Sequence, residues 1–249
     1  MISIVGYIKV DESKPERVDY FIASLKSLEF LKPQFIISLQ TPSEELLNKV
    51  INALEKTDNS IIEYKTEGDY GMRYSELLKS ARYQYVMNFI EDHFCVCDDI
   101  KYINSCLDKM EEYKVDICKA TFNKIELNSI STIKPIYSDD SFFVFDNNHS
   151  NHIEYQKYYG SRYYIGVNFI TTKQFAKRFW SRHLGKRPHE YEIAAYDESW
   201  RHECIVPKKE ILCAIDDSHG EIGTELISRE NKKFKKIYDS VIQCSQIQN

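Results

Sequence analysis

Short apolar runs alternate with segments whose apolar residues recur every three or four positions through the first ninety residues. Ser3–Lys9 ("SIVGYIK"), Gln34–Gln40 ("QFIISLQ"), Ser60–Tyr64 ("SIIEY") and Gln84–Ile90 ("QYVMNFI") have the length and composition of buried strands. Between the first two, Val18, Phe21, Ile22, Leu25 and Leu28 fall on one helical face, behind a capping box of Ser13 and Glu16 with Pro15 in the first turn. The same device recurs at 41–56, with Thr41 as cap, Pro42 at the first helical position, Glu44 closing the box, and Leu47, Val50, Ile51 and Leu54 as the stripe. Residues 68–82 read as a loop entering a helix. Such alternation predicts right-handed crossovers and an α/β, Rossmann-like fold: a mainly parallel sheet flanked by helices.

Beyond Asp99 the pattern loosens into a more irregular α+β half. A helix is expected within 103–113, a strand at Val115–Phe122, and irregular polar and aromatic chain over 125–160. Tyr164–Thr171 reads as a strand leading into a helix, and a further helix is expected from about Pro188. Two short strands within 204–215, a loop at 216–223 and a basic helix over 228–243 complete the chain. No internal repeat and no linker rich in Gly, Ser or Pro interrupts it, so 1–249 reads as a single domain.

Composition narrows the function classes. Hydrophobic residues make up 43% and aromatic residues 13%, a globular balance. A net charge of −5 argues against a nucleic-acid partner. No apolar run approaches the ~18–20 residues of a membrane span. "MISIVGYIKVDESK" has no basic stretch followed by a long apolar one, so no signal peptide is expected. Seven cysteines without framework spacing suit a reducing compartment, and a cytoplasmic location is expected. His93, Cys95 and Cys97 form H-x-C-x-C, but no second pair at finger spacing follows, so zinc is not expected. Lys232, Lys233, Lys235 and Lys236 are expected on the wet face of the last helix, with at most peripheral membrane contact.

The chemistry concentrates after the fourth strand, in Glu91-Asp92-His93. Open parallel sheets bind ligands beyond the carboxyl ends of their strands, which is where this cluster falls. Neither G-x-G-x-x-G nor G-x-x-x-x-G-K-[ST] occurs, so a diphosphate bound here needs another neutraliser. A divalent cation held by carboxylates is the usual one. In extended chain Glu91 and His93 point to one side and Asp92 to the other. Mixed oxygen and nitrogen ligation suits Mn²⁺ better than Mg²⁺.

"ISIVGYIKV", "GDYGMRYSELLKSARYQYVMNFIEDH" and "GVNFITTKQFAKRF" together resemble a family 2-type glycosyltransferase of GT-A fold. Gly71, Arg73 and Ala81 hold the places of that family's loop glycine, basic residue and pre-strand alanine, and Glu91-Asp92-His93 replaces its D-x-D metal motif. The resemblance covers the first half well and the second half loosely. It implies transfer of a sugar from a UDP-linked donor to a hydroxyl of a glycan, or lipid-linked glycan, in surface polysaccharide synthesis at the inner face of the membrane. Residues 1–99 would bind the nucleotide sugar, and 100–249 the acceptor. Glu91, Asp92 and His93 would hold the cation, with Asp92 also serving the donor, and His219 on a later loop would be a further ligand. Tyr7, Gln40, Glu67 and Asp69 would line base and ribose, Arg73 a phosphate, and Arg229 another phosphate contact. The resemblance places the catalytic base of an inverting mechanism at Glu192, then Glu190, with Asp197 and Glu198 a little late. The alternatives are a non-catalytic binding module and a nucleotidyltransferase of similar sheet order. "GYIKVDESKPE" lacks the glycine-rich, cationic first loop that would favour the nucleotidyltransferase.

Overall fold

The computed structural model describes residues 1–9, 16–40, 43–54, 59–63, 70–89, 93–120, 134–145, 169–182, 184, 203–215, 226–227 and 231–247. β1 (Ile2–Lys9), β2 (Gln34–Gln40), β3 (Asn59–Glu63) and β4 (Tyr85–Phe89) lie parallel in the order β3-β2-β1-β4. Helices α1 (Glu16–Ser27) and α2 (Glu44–Leu54) carry the chain outward, and α3 (Tyr70–Leu77) brings it back past β1 to β4. This reversal puts the helices on opposite faces. Phe21 and Leu25 of α1 and Val50 and Leu54 of α2 join the core layer of Ile4, Phe35 and Met87. Tyr74 and Leu77 of α3 join Val5, Ile36 and Val86 on the other side. Alternation along each strand feeds both layers, which is why these strands read as continuous apolar runs.

All five stripe residues are buried as expected, the last of them, Leu28, just past the end of α1. In α2 the expectation needs correction. The helix begins at Glu44, and the Leu46 N–H donates to the Ser43 hydroxyl at 3.3 Å, so Ser43 rather than Thr41 is the cap. Ile51 is 36% exposed, because α2 covers β3 at the edge of the sheet and only Val50 and Leu54 reach full burial.

The second half extends the sheet. It adds β5 (His93–Cys95), α4 (Ile100–Glu112), β6 (Ile117–Cys118), β7 (Tyr137–Ser138), β8 (Phe142–Phe145), β9 (Ile170–Thr172), α5 (Lys173–Arg182), β10 (Cys204–Pro207), β11 (Leu212–Ile215), β12 (Leu226–Ile227) and α6 (Lys232–Ile247). Among the described residues the main sheet has nine strands in the order β3-β2-β1-β4-β9-β6-β10-β8-β7, with β8 and β9 antiparallel to the rest. A small sheet, β12-β11-β5, stands beside it.

Of the expected Val115–Phe122 strand, whose last two residues lie outside the described ones, Ile117 and Cys118 are laddered. The stretch expected to be irregular contains a hairpin, β7–β8. Its turn is built by Asp139, whose carboxylate accepts from the N–H groups of Ser141 (2.7 Å) and Phe142 (3.0 Å). Asp-Asp-Ser supplies that turn and "FFVF" the buried strand, but four apolar residues between polar flanks are too few to show a period. The helix expected from Pro188 and the loop at 216–223 lie outside the described residues. No helix among the described residues is long and apolar enough to cross a membrane.

Candidate functional site

The strand order turns back between β1 and β4, so the crevice at their carboxyl ends is the topological switch point of the sheet. Tyr7 stands near the end of β1, paired with Ser38, and Gln40 ends β2. Arg73 projects from the first turns of α3 on the same side of the sheet and is only 2% exposed. The Tyr7 hydroxyl donates to Gln40 Oε1 at 2.6 Å. Arg73 Nη1 donates to the Tyr7 hydroxyl at 2.7 Å and to Gln40 Oε1 at 3.1 Å, and the guanidinium carbon lies 5.0 Å from the Tyr7 ring centroid. Three residues singled out on separate sequence segments therefore form one hydrogen-bonded group. It fixes a cation in a shielded place, where a charge interacts more strongly than in water.

β4 ends at Phe89 and β5 opens at His93, so residues 90–92 connect the switch point to the small sheet. His93 is half-buried and pairs with Ala214 of β11. Glu91 and Asp92 lie outside the described residues, as do Glu67, Asp69, Glu190, Glu192, Asp197, Glu198, His219 and Arg229. Among the described residues no group of three or more His, Cys, Asp or Glu is arranged to hold a metal. The donor chemistry of the tip, two carboxylates beside an imidazole, suits Mn²⁺, and His93 stands where the chain leaves the central strand. In H-x-C-x-C, Cys95 and Cys97 are buried. Burial pushes the Cys95 thiol up to about 12, against a smaller opposing effect of Lys233, and its Sγ donates to the Cys97 carbonyl at 3.0 Å.

Two described anchors bear on the undescribed candidates. Lys173, at the start of α5, donates its backbone N–H to Gln84 O, beside the amino end of β4. Trp180, near the end of α5, stacks on Tyr74 at 4.4 Å between centroids, and the Tyr74 hydroxyl donates to Phe89 O at the carboxyl end of β4. Helix α5 thus runs from the amino edge of the sheet to the switch-point edge. The chain leaves α5 at that edge, eight residues before Glu190 and ten before Glu192. Likewise β11 ends at Ile215, next to the partner of His93 and four residues before His219.

Sequence reasoning passed over Ser38 and Asn88. Both are buried, with side-chain polar atoms that have no hydrogen-bond partner among the described residues, and strand alternation puts them on the face that carries Tyr7 and Val5. The signal was present as single polar residues inside "QFIISLQ" and "QYVMNFI".

Solved structures share this sheet. S. aureus TarS 1–349 in complex with UDP-GlcNAc matches over 96% of this chain and 65% of that one, with a TM-score of 0.56 and 12% identity. Its complex with UDP matches over 97% and 65%, with a TM-score of 0.55 and 12% identity. Apo UDP-glucose pyrophosphorylase matches over 98% of this chain and 100% of that one, with a TM-score of 0.54 and 10% identity. The fold is of the GT-A type. This chain spans 59% to 65% of the TarS 1–349 structures it matches. No family model matches it, and no curated protein does. As a GT-A-type sheet it is mixed but mostly parallel, as the sequence pattern predicts, and β9 is the antiparallel strand beside β4.

Proposed function

We propose that this protein is a metal-dependent glycosyltransferase. It would move a sugar from a UDP-linked donor to a hydroxyl of a glycan acceptor, with inversion, in surface polysaccharide assembly. The observation that carries the reading is the Tyr7–Gln40–Arg73 group at the switch point of a GT-A-type sheet, with Tyr7 on the strand next to β4, which Glu91-Asp92-His93 follows in sequence. Tyr7 and Gln40 offer the nucleoside an aromatic face and an amide. Arg73 holds positive charge within reach of the phosphates. Glu91, Asp92 and His93, with His219, would hold Mn²⁺, which when bound stabilises charge on the departing diphosphate. Glu192, or Glu190, accepts the proton of the attacking hydroxyl as the acceptor oxygen bonds to the anomeric carbon and UDP departs.

The likeness to a pyrophosphorylase favours a second reading, nucleotidyl transfer to a sugar phosphate. The chain between β1 and α1 is the place for a cationic, glycine-rich triphosphate loop, and after Gly6 it has no further glycine before Gly68.

A thermal-shift panel of nucleotide sugars with Mn²⁺ separates these readings. One UDP-sugar is expected to raise the melting temperature, and either EDTA or Asp92→Ala to abolish the rise. Stabilisation by UTP but by no UDP-sugar would support the pyrophosphorylase-like reading, and stabilisation indifferent to both EDTA and Asp92→Ala would refute the metal's role. Arg73→Met keeps the buried stem and deletes the charge. A hydrogen bond to a charged group is worth about 1.5–3 kcal/mol, so UDP affinity should fall about ten- to hundredfold by calorimetry. Uridine affinity should fall by less than UDP affinity, because Arg73 also holds Tyr7 and Gln40 in place through its hydrogen bonds.

A further inference from the structure

The last helix, Lys232–Ile247 where 228–243 is expected, departs from its expected solvated lysine face at one residue. Lys232, Lys235 and Lys236 of α6 are exposed, but Lys233 is half-buried and turned inward. Its Nζ donates to the carbonyl of Cys95 at 2.8 Å and to that of Cys97 at 3.5 Å. The ammonium also lies 5.5 Å from the Phe30 ring centroid and 5.8 Å from that of Phe94. Phe234 beside it packs edge-on against Phe94 at 5.3 Å and joins Cys213 and Ile215 in a separate apolar cluster.

These contacts fall on β5, which has three residues and a strand partner, β11, on one side. At Cys95 two helices supply side chains to the strand. The Cys95 N–H donates at 2.9 Å to the hydroxyl of Ser27 in α1, which donates in turn to Ser24 O at 2.6 Å. The Cys95 carbonyl accepts from Lys233 of α6. Ser27 and Lys233 thus satisfy the backbone as a neighbouring strand would, at one residue, from opposite ends of the sequence. Helices α1 and α6 pack on each other through Tyr20, stacked on Tyr238 at 5.1 Å and on Phe234 at 6.3 Å. A three-residue strand held on one side can shift by a fraction of an ångström, and metal ligation tolerates little of that.

We propose that Lys233, with Ser27, is a positioning residue for the cation site: it fixes β5 so that His93, two residues upstream of Cys95, is presented beside the carboxyl end of β4. This rests on the reading of Glu91-Asp92-His93 as metal ligands. Lys233 touches neither donor nor cation. Its removal should loosen metal binding while leaving the nucleoside subsite of Tyr7, Gln40 and Arg73 unaltered.

The test measures Mn²⁺ binding by electron paramagnetic resonance in the presence of UDP, and uridine binding without metal by NMR, in wild type, Lys233→Met, Lys233→Arg, Ser27→Ala and Lys236→Ala. Lys233→Met should raise the Mn²⁺ concentration for half-saturation at least tenfold with uridine affinity unchanged. Ser27→Ala should shift it in the same direction by less, Lys233→Arg should retain most of the wild-type affinity, and Lys236→Ala all of it. Wild-type Mn²⁺ affinity in Lys233→Met, whatever its melting temperature, would overturn the proposal, as would an equal loss of uridine and Mn²⁺ binding. Should Lys233→Met fail to fold, Ser27→Ala decides: unchanged Mn²⁺ affinity there overturns the proposal. Failure of the metal reading itself shows earlier and separately, as wild-type protein that binds no Mn²⁺ with UDP, and the proposal falls with it.

Discussion

Glu192→Gln is expected to slow sugar transfer by about 10²- to 10⁴-fold while leaving UDP affinity and melting temperature near wild type. Glutamine matches glutamate in shape but cannot accept the acceptor's proton, so a loss confined to the rate marks proton transfer rather than binding. Steady-state transfer to an acceptor, with UDP binding measured alongside, reads both quantities. Glu190→Gln is the paired control. If the large loss appears there instead, the base lies two residues earlier on the same segment. If neither variant changes a measurable rate, the carboxylate base of the mechanism is wrong. If wild type shows no transfer or donor hydrolysis, the binding-module reading takes its place. The structural reason to look here is the course of α5, which delivers the chain to the switch-point edge before these residues.

The fold was most legible where local and tertiary signals agree. Four strands buried on both faces and helices with one apolar stripe leave little freedom, and Gln34–Gln40 was placed to the residue. The errors fall where a tertiary neighbour decides. Thr41 and Ser43 are both competent caps by residue type, and the helix start at Glu44 with the Leu46 N–H on the Ser43 hydroxyl decides for Ser43. Lys233 reads as a solvated lysine until the two carbonyls of a neighbouring short strand are seen beside it. β5 and β12, of three and two residues, are held by partners distant in sequence and carry no period of their own.

For the candidate site, residue type and placement at strand ends were enough to name Tyr7, Gln40 and Arg73, but not their hydrogen bonds to one another. The Tyr7–Gln40 bond depends on the pairing of β1 with β2, and the two Arg73 bonds on α3 returning across the sheet, contacts between residues 33 and 66 positions apart. The GT-A-type sheet leaves the reaction open, since TarS and a pyrophosphorylase share it at 12% and 10% identity. The choice between them rests on side chains at the carboxyl edge.

The largest loss of stability is expected from Tyr74→Ala. Tyr74 is 1% exposed, stacks on Trp180 with 16° between the rings, and donates its hydroxyl to Phe89 O at 3.3 Å. Trp180 in turn meets Phe179 edge-on at 5.1 Å, so the ring of Tyr74 closes the core between α3, α5 and the sheet. Large aromatic-to-alanine changes in cores cost about 3–5 kcal/mol. At about 2–4 °C per kcal/mol for a chain of this size, the melting temperature should fall by roughly 6–20 °C. Tyr74→Phe keeps the stack and loses one long hydrogen bond, so it should cost only about 0.5–1.5 kcal/mol. Calorimetry of the two variants separates packing from hydrogen bonding, and equal losses would show that the hydroxyl, not the stack, secures the helix pair. The position matters beyond stability because Tyr74 follows Arg73 directly and grips the end of α5. One stack sets the place of the cation and the point where the chain carrying Glu190 and Glu192 departs. Tyr74→Ala at a temperature where it remains folded should therefore weaken UDP binding as well, whereas a packing defect confined to the core would leave that affinity unchanged.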